Sequence, residues 1–231
     1  SLKKPVNVIY LGNSGTSARL LTGLLSSQNF SSCLTGDKSL SSRPMKRIID
    51  PLMKMGADIK SDNGMLPIYI NGKKLNNIKH EITIPSAQIK SGLIFASLNT
   101  EGQTTIKENN ITRDHTEIML KSFGADIDIK KNEHSKIITI NGNQEMKSKN
   151  ISVPSDLSSA SFFIVAALIN DNSNIKIKNI NINPTRDGII KALKIMGAKI
   201  QITNKKILNE EVVADLEILS SNLSGCELNE D

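Results

Sequence analysis

The sequence predicts an α/β fold of repeated βαβαββ units around a pseudo-threefold axis, with helices inside and sheets outside. Two observations predict it: short β-branched strands alternate with apolar helices along the chain, and two motifs recur in the same order. A unit of this size cannot bury its own apolar face, so equivalent units are expected to pack together. We expect one domain, residues 1–231, of three repeats at about 5–80, 81–150 and 151–220.

The repeat is clearest between the second and third units. Segment 83–98, TIPSAQIKSGLIFASL, matches segment 152–168, SVPSDLSSASFFIVAAL, because each has Pro-Ser ahead of a helix of small and apolar residues. Further on, Thr-Arg-Asp precedes Gly-Ala in both units, with Arg113 and Arg186 at the same distance ahead of the glycine. The first unit follows the plan more loosely. Two motifs in one order indicate an internal repeat.

Residues typical of helix ends mark the second helix of the first two units. In the first unit Pro44 suits the first helical position, and Gly56 supplies the left-handed cap that ends the helix. Pro51 should kink this helix, because it removes a backbone hydrogen bond. In the second unit Asp114 and Glu117 resemble a capping box. The apolar residues of the first of these helices follow the spacing of one buried face: Met45, Ile48, Ile49, Leu52 and Met53.

The predicted strands are short, rich in β-branched residues and often alternating in polarity. They lie at 82–84, 104–108, 127–130, 136–140, 174–180 and 198–203. Strands of this kind, separated by helices, are typical of the α/β class.

Composition excludes several kinds of protein. The chain has 231 residues, 38% hydrophobic residues and a net charge of +6, so we expect a sizeable core and an anionic partner. No apolar run reaches the roughly 18 residues of a membrane span, and no signal peptide is evident. Scarce aromatic residues argue against nucleic acid, and the spacing of Cys33, Cys226 and the histidines argues against a metal or a disulfide. We therefore expect a cytoplasmic protein without a membrane partner.

The stretch LGNSGTSARLL, residues 11–21, is typical of a strand that ends in a glycine turn and opens a helix. Neither a Walker loop nor a dinucleotide loop is present, because Gly15 is not followed by Lys and GxGxxG is absent. Free backbone N–H groups and the helix dipole at such a turn favour an anion. A tight turn with a Ser or Thr N-cap is the alternative, and this stretch alone leaves both open.

Further helix starts hold groups that suit anions. Arg43 stands immediately before a proline that starts a helix, and its fork can match a carboxylate or phosphate. Ser86 suits an N-cap, and Gln88 adds an amide in the first turn. Arg113 precedes another helix. A surface position for Arg43, simple capping by Ser86, and surface pairing of Arg113 with Asp114 are the structural alternatives.

Taken together, these motifs resemble EPSP synthase, the 3-phosphoshikimate 1-carboxyvinyltransferase family, and in particular its class II, glyphosate-tolerant branch. The motifs are LGNSGTSARLL, GDKSLSSRPM, PSAQIKS, NITRDHTEIMLKSFGAD and NINPTRDG, in order across nearly all of the chain. The chain is similar to about the middle of the family's length. The resemblance implies an enolpyruvyl transferase-like fold and no cofactor.

The family's reaction gives the expected activity. The resemblance implies a transferase that moves an enolpyruvyl group from phosphoenolpyruvate to the 5-hydroxyl of shikimate 3-phosphate and releases phosphate. This reaction belongs to the shikimate pathway, toward chorismate and the aromatic amino acids. Both substrates are polyanions, in keeping with the basic balance of the chain.

The resemblance assigns one set of residues to phosphoenolpyruvate. Gly15 resembles the glycine whose backbone lies against this ligand, in a turn that includes Asn13 and Thr16, and Arg43 resembles the arginine that clamps its phosphate. Gln88 is expected to reach this ligand too. A side chain at residue 15 would push the phosphate away. Alanine at this position is associated with glyphosate tolerance in the family, and here the glycine is retained.

A second set is assigned to shikimate 3-phosphate. Ser86, Ala87 and Gln88 resemble the loop that binds it, and Arg113 resembles a further contact of class II enzymes. The general base and the partner-domain residues of the family have no counterpart here, so no catalytic residue and no metal ligand is assigned. We expect a substrate-binding domain, inactive alone and monomeric, with a tail at 221–231 leading toward a second domain. Glyphosate is the expected inhibitor.

Two other functions remain open. UDP-N-acetylglucosamine enolpyruvyl transferase, from the same superfamily, uses a cysteine on a flexible loop as an acid. Cys33 lies in a predicted strand and Cys226 in the tail, so neither fits that role well. A non-catalytic binding or scaffold domain that kept the fold is the third hypothesis.

Overall fold

Strands and helices alternate along the computed structural model, which describes residues 2–228. Its contacts divide the chain into two compact units. Within the described residues, unit 1 comprises 2–112 and 124–147, and unit 2 comprises 113–123 and 148–228. How the three repeats associate, including the single domain expected from the sequence, stays a prediction. Residue 1 of that domain and residues 229–231 of the expected tail lie outside the described residues.

The first repeat lies in unit 1 and builds one sheet. Its elements are β1 (Ile9–Tyr10), α1 (Gly15–Ser26), β2 (Ser31–Thr35), α2 (Lys38–Ser41), α3 (Lys46–Lys54), β3 (Asp58–Asp62) and β4 (Met65–Asn71). The strands are ordered β1-β2-β4-β3. β1 runs parallel to β2, whereas β4 is antiparallel to both of its neighbours.

The second repeat follows the same plan. Its elements are β5 (Lys79–Ile82), α4 (Ala87–Ser97), β6 (Gln103–Glu108), α5 (His115–Ser122), β7 (Ile127–Lys131) and β8 (Lys136–Asn141). The sheet order is β5-β6-β8-β7, again with one parallel pair followed by antiparallel pairs. All of these elements belong to unit 1 except α5, which belongs to unit 2.

The third repeat lies in unit 2. Its elements are α6 (Leu157–Ile169), β9 (Asn174–Asn181), α7 (Gly188–Ile195), β10 (Lys199–Leu208) and β11 (Glu211–Leu219). The strands are ordered β10-β11-β9, and Ser155 forms a parallel bridge to Ile180 of β9 at the place where the other repeats have their first strand. The α/β class and the repeated order of elements are therefore confirmed.

A close helix crossing organises the core of unit 1. α1 and α4 approach so closely that a Cβ added at Gly23 would lie 1.9 Å from the carbonyl oxygen of Gly92. A Cβ at Gly92 would in turn lie 2.8 Å from the carbonyl oxygen of Arg19. Only glycine allows two helix backbones this separation. The crossing brings the first turn of α1 beside the first turn of α4.

Several predicted boundaries are confirmed and one strand is misplaced. Five of the six predicted strands are present, the last of them extended to Leu208. The strand predicted at 82–84 instead ends at Ile82, because the chain bends at 83–84 ahead of Pro85. Gly56, with φ +90°, ends the preceding helix in the left-handed conformation as expected.

Two expectations about helix starts are wrong. α3 begins at Lys46 with Met45 as its N-cap, so Pro44 precedes the first helical position. Pro51 lies inside α3, which continues to Lys54, and the kink expected there stays a prediction. No capping box forms at α5, since the side chain of Asp114 accepts no hydrogen bond from its own helix. Its carboxylate instead accepts a hydrogen bond from Asn183.

Candidate anion-binding site

The turn between β1 and α1 forms the centre of the candidate site. Gly12 takes a left-handed φ of +55°, and Ser14 caps α1 by accepting from the N–H of Ser17 at 3.1 Å. Gly15 is the first residue of the helix and is buried. The capping alternative is thus correct for Ser14, and it leaves the small Gly15 at the mouth of the helix, where the dipole favours an anion.

Arg19 ties this turn to α4. Its Nη1 donates to Gln88 Oε1 at 2.9 Å and to the carbonyl oxygen of Gly15 at 3.2 Å. Its Nη2 donates to the carbonyl oxygen of Pro44 at 3.3 Å. Gln88 Nε2 donates to Thr16 Oγ1 at 2.8 Å. Both ends of the Gln88 amide are therefore held by α1, which fixes its orientation at the start of α4.

Arg43 reaches the same point from the other side. Its Nη2 donates to Asn13 Oδ1 in a short hydrogen bond and to Ser39 Oγ at 3.3 Å. A Cβ added at Gly15 would lie 2.8 Å from Arg19 Nη1 and 3.4 Å from Arg43 Nη1. Two guanidinium groups therefore converge on the space beside Gly15.

This cluster is strongly cationic. Burial, followed by the charges of Arg47 and Arg43, lowers the pKa of Arg19 from its ordinary value. Within residues 2–228, none of these three arginines forms an ion pair with a carboxylate. Like charges held close together without a counter-charge stabilise a bound anion.

The start of α4 adds neutral donors to the site. Ser86 is the N-cap and accepts from the N–H of Ile89 at 3.4 Å, while Ala87 is the first helical residue. Arg47 Nη2 donates to the carbonyl oxygen of Ile84, just before this cap, at 2.8 Å. Capping by Ser86 and the expected grouping with Gln88 are both present.

A buried cluster of charged side chains connects α4 to β6. Lys90 is fully buried, and its Nζ lies 3.1 Å from Glu108 Oε2 and 3.4 Å from the carbonyl oxygen of Thr112. Lys136 Nζ lies 3.4 Å from the same carboxylate, and both residues are at most 2% exposed. Breaking a buried ion pair is strongly destabilising, so the cluster holds the first turns of α4 against β6.

Arg113 lies in unit 2, immediately before α5. It lines a cavity of about 370 Å³ together with Ser158, Ser161 and Arg186. Arg186 forms an ion pair with Asp156 at 3.0 Å. The expected site residues thus divide between the units: Asn13, Gly15, Thr16, Arg43, Ser86, Ala87 and Gln88 are grouped in unit 1, and Arg113 belongs to unit 2.

Sequence reasoning missed Arg19 and Arg47. Arg19 lies one helical turn after Gly15, so helical spacing alone placed both on one face of α1. Arg47 had no comparable signal, because its place beside α4 depends on how α3 packs. Within residues 2–228 no group of three histidine, cysteine or acidic residues is arranged to hold a metal ion. No helix of that part of the chain is long and apolar enough to cross a bilayer.

Comparison with known proteins gives a consistent result. The model of the family EPSP synthase (3-phosphoshikimate 1-carboxyvinyltransferase) matches residues 1–228. The 3-phosphoshikimate 1-carboxyvinyltransferase of Ruthia magnifica subsp. Calyptogena magnifica is 50% identical over 231 residues, 100% of this chain and 52% of the relative. That of Legionella pneumophila (strain Corby) is 50% identical over 228 residues, 98% of this chain and 52% of the relative.

Solved structures agree with the relatives. An EPSP synthase structure from Acinetobacter baumannii superposes with a TM-score of 0.85 at 44% identity, over 99% of this chain and 51% of that chain. The chain spans about half the length of the relatives it matches.

Proposed function

This chain belongs to the EPSP synthase family, and on that premise we propose that it forms a substrate-binding part of such an enzyme. The full enzyme would transfer the enolpyruvyl group of phosphoenolpyruvate to the 5-hydroxyl of shikimate 3-phosphate and release phosphate. The observation that carries the proposal is the convergence of Arg19 and Arg43 beside Gly15. An anion is the ligand that this arrangement favours.

Phosphoenolpyruvate is the ligand that we propose for the space beside Gly15. The fork of Arg43, oriented by Asn13, suits two oxygens of its phosphate. Arg19 holds the carbonyl end of the Gln88 amide, which leaves the amide nitrogen on the Thr16 side of the site. The missing Cβ of Gly15 lets the ligand approach the backbone.

In unit 1, shikimate 3-phosphate is the ligand that we propose for the start of α4, at Ser86, Ala87 and Gln88. For Arg113, in unit 2, a contact to this substrate is proposed from the family resemblance alone. A helix start with a neutral cap supplies N–H groups and a positive dipole to a phosphate. Arg113 would supply a further cation, and it lines a cavity in unit 2.

The chemistry assigned to these residues is binding and charge neutralisation. In the proposed reaction C3 of phosphoenolpyruvate gains a proton and the 5-hydroxyl attacks C2 as it loses its own proton. The tetrahedral intermediate then loses phosphate from C2 and a proton from the C3 methyl group, which restores the carbon–carbon double bond. Arginines that neutralise the phosphate stabilise the charge that builds on it as it leaves. We assign no general base within this chain and therefore propose that it does not turn over alone. We further propose a monomer that works in the cytoplasm and is inhibited by glyphosate.

A hybrid protein tests this proposal. In the full-length hybrid, this chain replaces the matching segment of the Ruthia magnifica relative, and phosphate release is measured with both substrates. We expect turnover in the hybrid and none in the 231-residue chain alone. A hybrid that folds, as judged by cooperative thermal unfolding, but releases no phosphate would contradict the proposal. Turnover by the chain alone would contradict the assignment of the catalytic groups elsewhere.

The same hybrid assay also tests the alternative activity, that of a UDP-N-acetylglucosamine enolpyruvyl transferase. With UDP-N-acetylglucosamine as the acceptor we expect no phosphate release. Cys33 lies within β2 rather than on a loop, and burial raises the pKa of its thiol. Its position in a strand argues against this cysteine as the flexible-loop acid of that reaction.

A further inference from the structure

A polar network in unit 2 surrounds the residues that follow Arg113. His115 Nδ1 lies 2.6 Å from Glu211 Oε1, at the start of β11. Glu211 Oε2 accepts from Asn181 Nδ2 at 3.1 Å and from Asn183 Nδ2 at 3.3 Å. The side chain of Glu211 is 12% exposed, so these hydrogen bonds are largely shielded from water.

Asn183 joins this network to the residue next to Arg113. Its Nδ2 also donates to Asp114 Oδ1 at 2.8 Å. The orientation of its amide is fixed, because Asn183 Oδ1 accepts from the backbone N–H of Thr185 at 2.8 Å and from its hydroxyl at 2.7 Å. A backbone N–H is always a donor, so the other end of the amide must be the nitrogen. Asn183 is only 3% exposed.

The network replaces the capping box that the sequence predicted. Asp114 occupies the N-cap position of α5 without accepting from that helix, and its carboxylate is held by Asn183 instead. His115, the first residue of α5, is held by Glu211. Both residues that directly follow Arg113 are therefore fixed by side chains from outside α5, which a local cap would not require.

The charge of Glu211 suits this role. Burial raises its pKa, but hydrogen bonds from His115, Asn181 and Asn183, with the charge of His115, together lower it below the ordinary value. Glu211 is thus a carboxylate that accepts from three side chains. Charge-assisted hydrogen bonds in a shielded place are the strongest that a side chain can make.

We propose that Asn183 and Glu211 are positioning residues for Arg113. They hold Asp114 and His115, and through them the backbone of Arg113, so that its guanidinium meets shikimate 3-phosphate. This inference rests on the proposed function, because Arg113 is the group that touches the ligand. Asn183 and Glu211 act through it and contact neither substrate.

The variant Asn183→Asp tests the proposal with a minimal change of shape. Its Oδ1 keeps the hydrogen bonds from Thr185, but an oxygen replaces the donor that faces Asp114 and Glu211. We expect the affinity of the full-length hybrid for shikimate 3-phosphate to fall about tenfold, and that for phosphoenolpyruvate to stay within about twofold. Both affinities are measured by calorimetric titration.

A double-mutant cycle separates positioning from loss of stability. In an Arg113→Ala background, Asn183→Asp should cause no further loss of shikimate 3-phosphate affinity, because the group that it positions is absent. The same loss in both backgrounds, or no loss in either, would overturn the proposal. Exchanging the two groups, as Asn183→Asp with Asp114→Asn, restores a donor between them and should recover part of the affinity.

Two controls keep the result interpretable. Asn170→Asp introduces the same charge at the exposed end of α6, where Asn170 donates only to the carbonyl oxygen of Ala166, and should leave both affinities unchanged. If Asn183→Asp unfolds the hybrid, Asn183→Ser is measured in the same cycle. If Arg113→Ala alone leaves the affinity unchanged, the assignment of Arg113 under the proposed function fails and this inference fails with it. If Arg113→Ala weakens binding and Asn183→Asp does not, only the inference fails.

Discussion

The starts of α4 and α6 occupy matching places in their repeats, yet they treat charge in opposite ways. Asp156 caps α6, accepts from the N–H groups of Ser158 and Ser159, and pairs with Arg186 at 3.0 Å. The neutral Ser86 caps α4. The positive end of α6 is therefore neutralised by its own cap, whereas the first turn of α4 holds no acidic residue. The repeated topology provides equivalent helix starts, and the cap residue decides whether the positive end of the helix is neutralised within the chain.

The largest effect is expected from separating α1 from α4. Gly23→Ala places a Cβ 1.9 Å from a backbone oxygen, which no side-chain movement can relieve, and should destabilise unit 1 by about 3 kcal/mol or more. Urea unfolding of the 231-residue chain measures this. The matched control is Gly188→Ala at the start of α7, where a Cβ meets nothing within 4 Å. Equal stability of the two variants would show that the crossing is not as tight as described.

The second largest effect is expected when α4 receives an acidic N-cap like that of α6. Ser86→Asp keeps a good N-cap, so the fold should be retained. The new carboxylate should repel shikimate 3-phosphate and occupy its donors, with a loss of affinity of about a hundredfold. Titration of the full-length hybrid measures it, with Ser86→Asn as the uncharged control. Undiminished affinity in Ser86→Asp would remove α4 from the binding site.

A smaller effect is expected at Arg43. Arg43→Lys keeps the charge but removes the fork that suits two phosphate oxygens, so the affinity of the hybrid for phosphoenolpyruvate should fall about tenfold. Arg186→Lys in unit 2 is the control, because Arg186 already pairs with Asp156. An unchanged Michaelis constant for phosphoenolpyruvate in Arg43→Lys would exclude Arg43 as the phosphate clamp.

The smallest effect concerns pH and the start of α6. Burial raises the pKa of Asp156, but hydrogen bonds from Ser159 and Ser158 and the charge of Arg186 outweigh it, so the pKa lies below its ordinary value of 3.8. A depressed pKa contributes stability that is complete above the ordinary value and is lost as pH falls through the folded-state value. Melting temperatures of the wild type and Asp156→Asn should therefore converge as pH falls below 3.8. A constant difference across that range would contradict the assignment.

The periodicity of the sequence predicted those elements whose formation depends on residues close together in the chain. Five strands and the glycine end of α3 at Gly56 follow from local pattern and backbone preference. The start of α5 could not be predicted in this way, because the carboxylate of Asp114 accepts a hydrogen bond from Asn183. Asn183 lies far along the chain, and no local pattern shows that the two residues are close. The strand before α4 was misplaced because β-branched residues continue past the bend that precedes Pro85.

The candidate site shows the same division. Gly15, Arg43 and Gln88 were predicted from motifs, and the structure brings them together. The hydrogen bond from Arg19 to Gln88 could not be predicted, because it depends on the α1 and α4 crossing rather than on sequence spacing. No local pattern indicates the two compact units either, since α5 follows β6 in the chain but belongs with β11.

The paired glycines of the α1 and α4 crossing have a consequence for how this protein can change. A larger residue at Gly23 meets the backbone of Gly92, which has no side chain left to shorten, and a larger residue at Gly92 meets the backbone carbonyl oxygen of Arg19 as well as the side chain of Ile48. No substitution of the other glycine can compensate the first. Relief would require the two helices to move apart, and that movement would break the hydrogen bond between Arg19 and Gln88. The two glycines therefore set the separation of α1 and α4. A substitution that changes the packing of this core also changes the geometry of the candidate site.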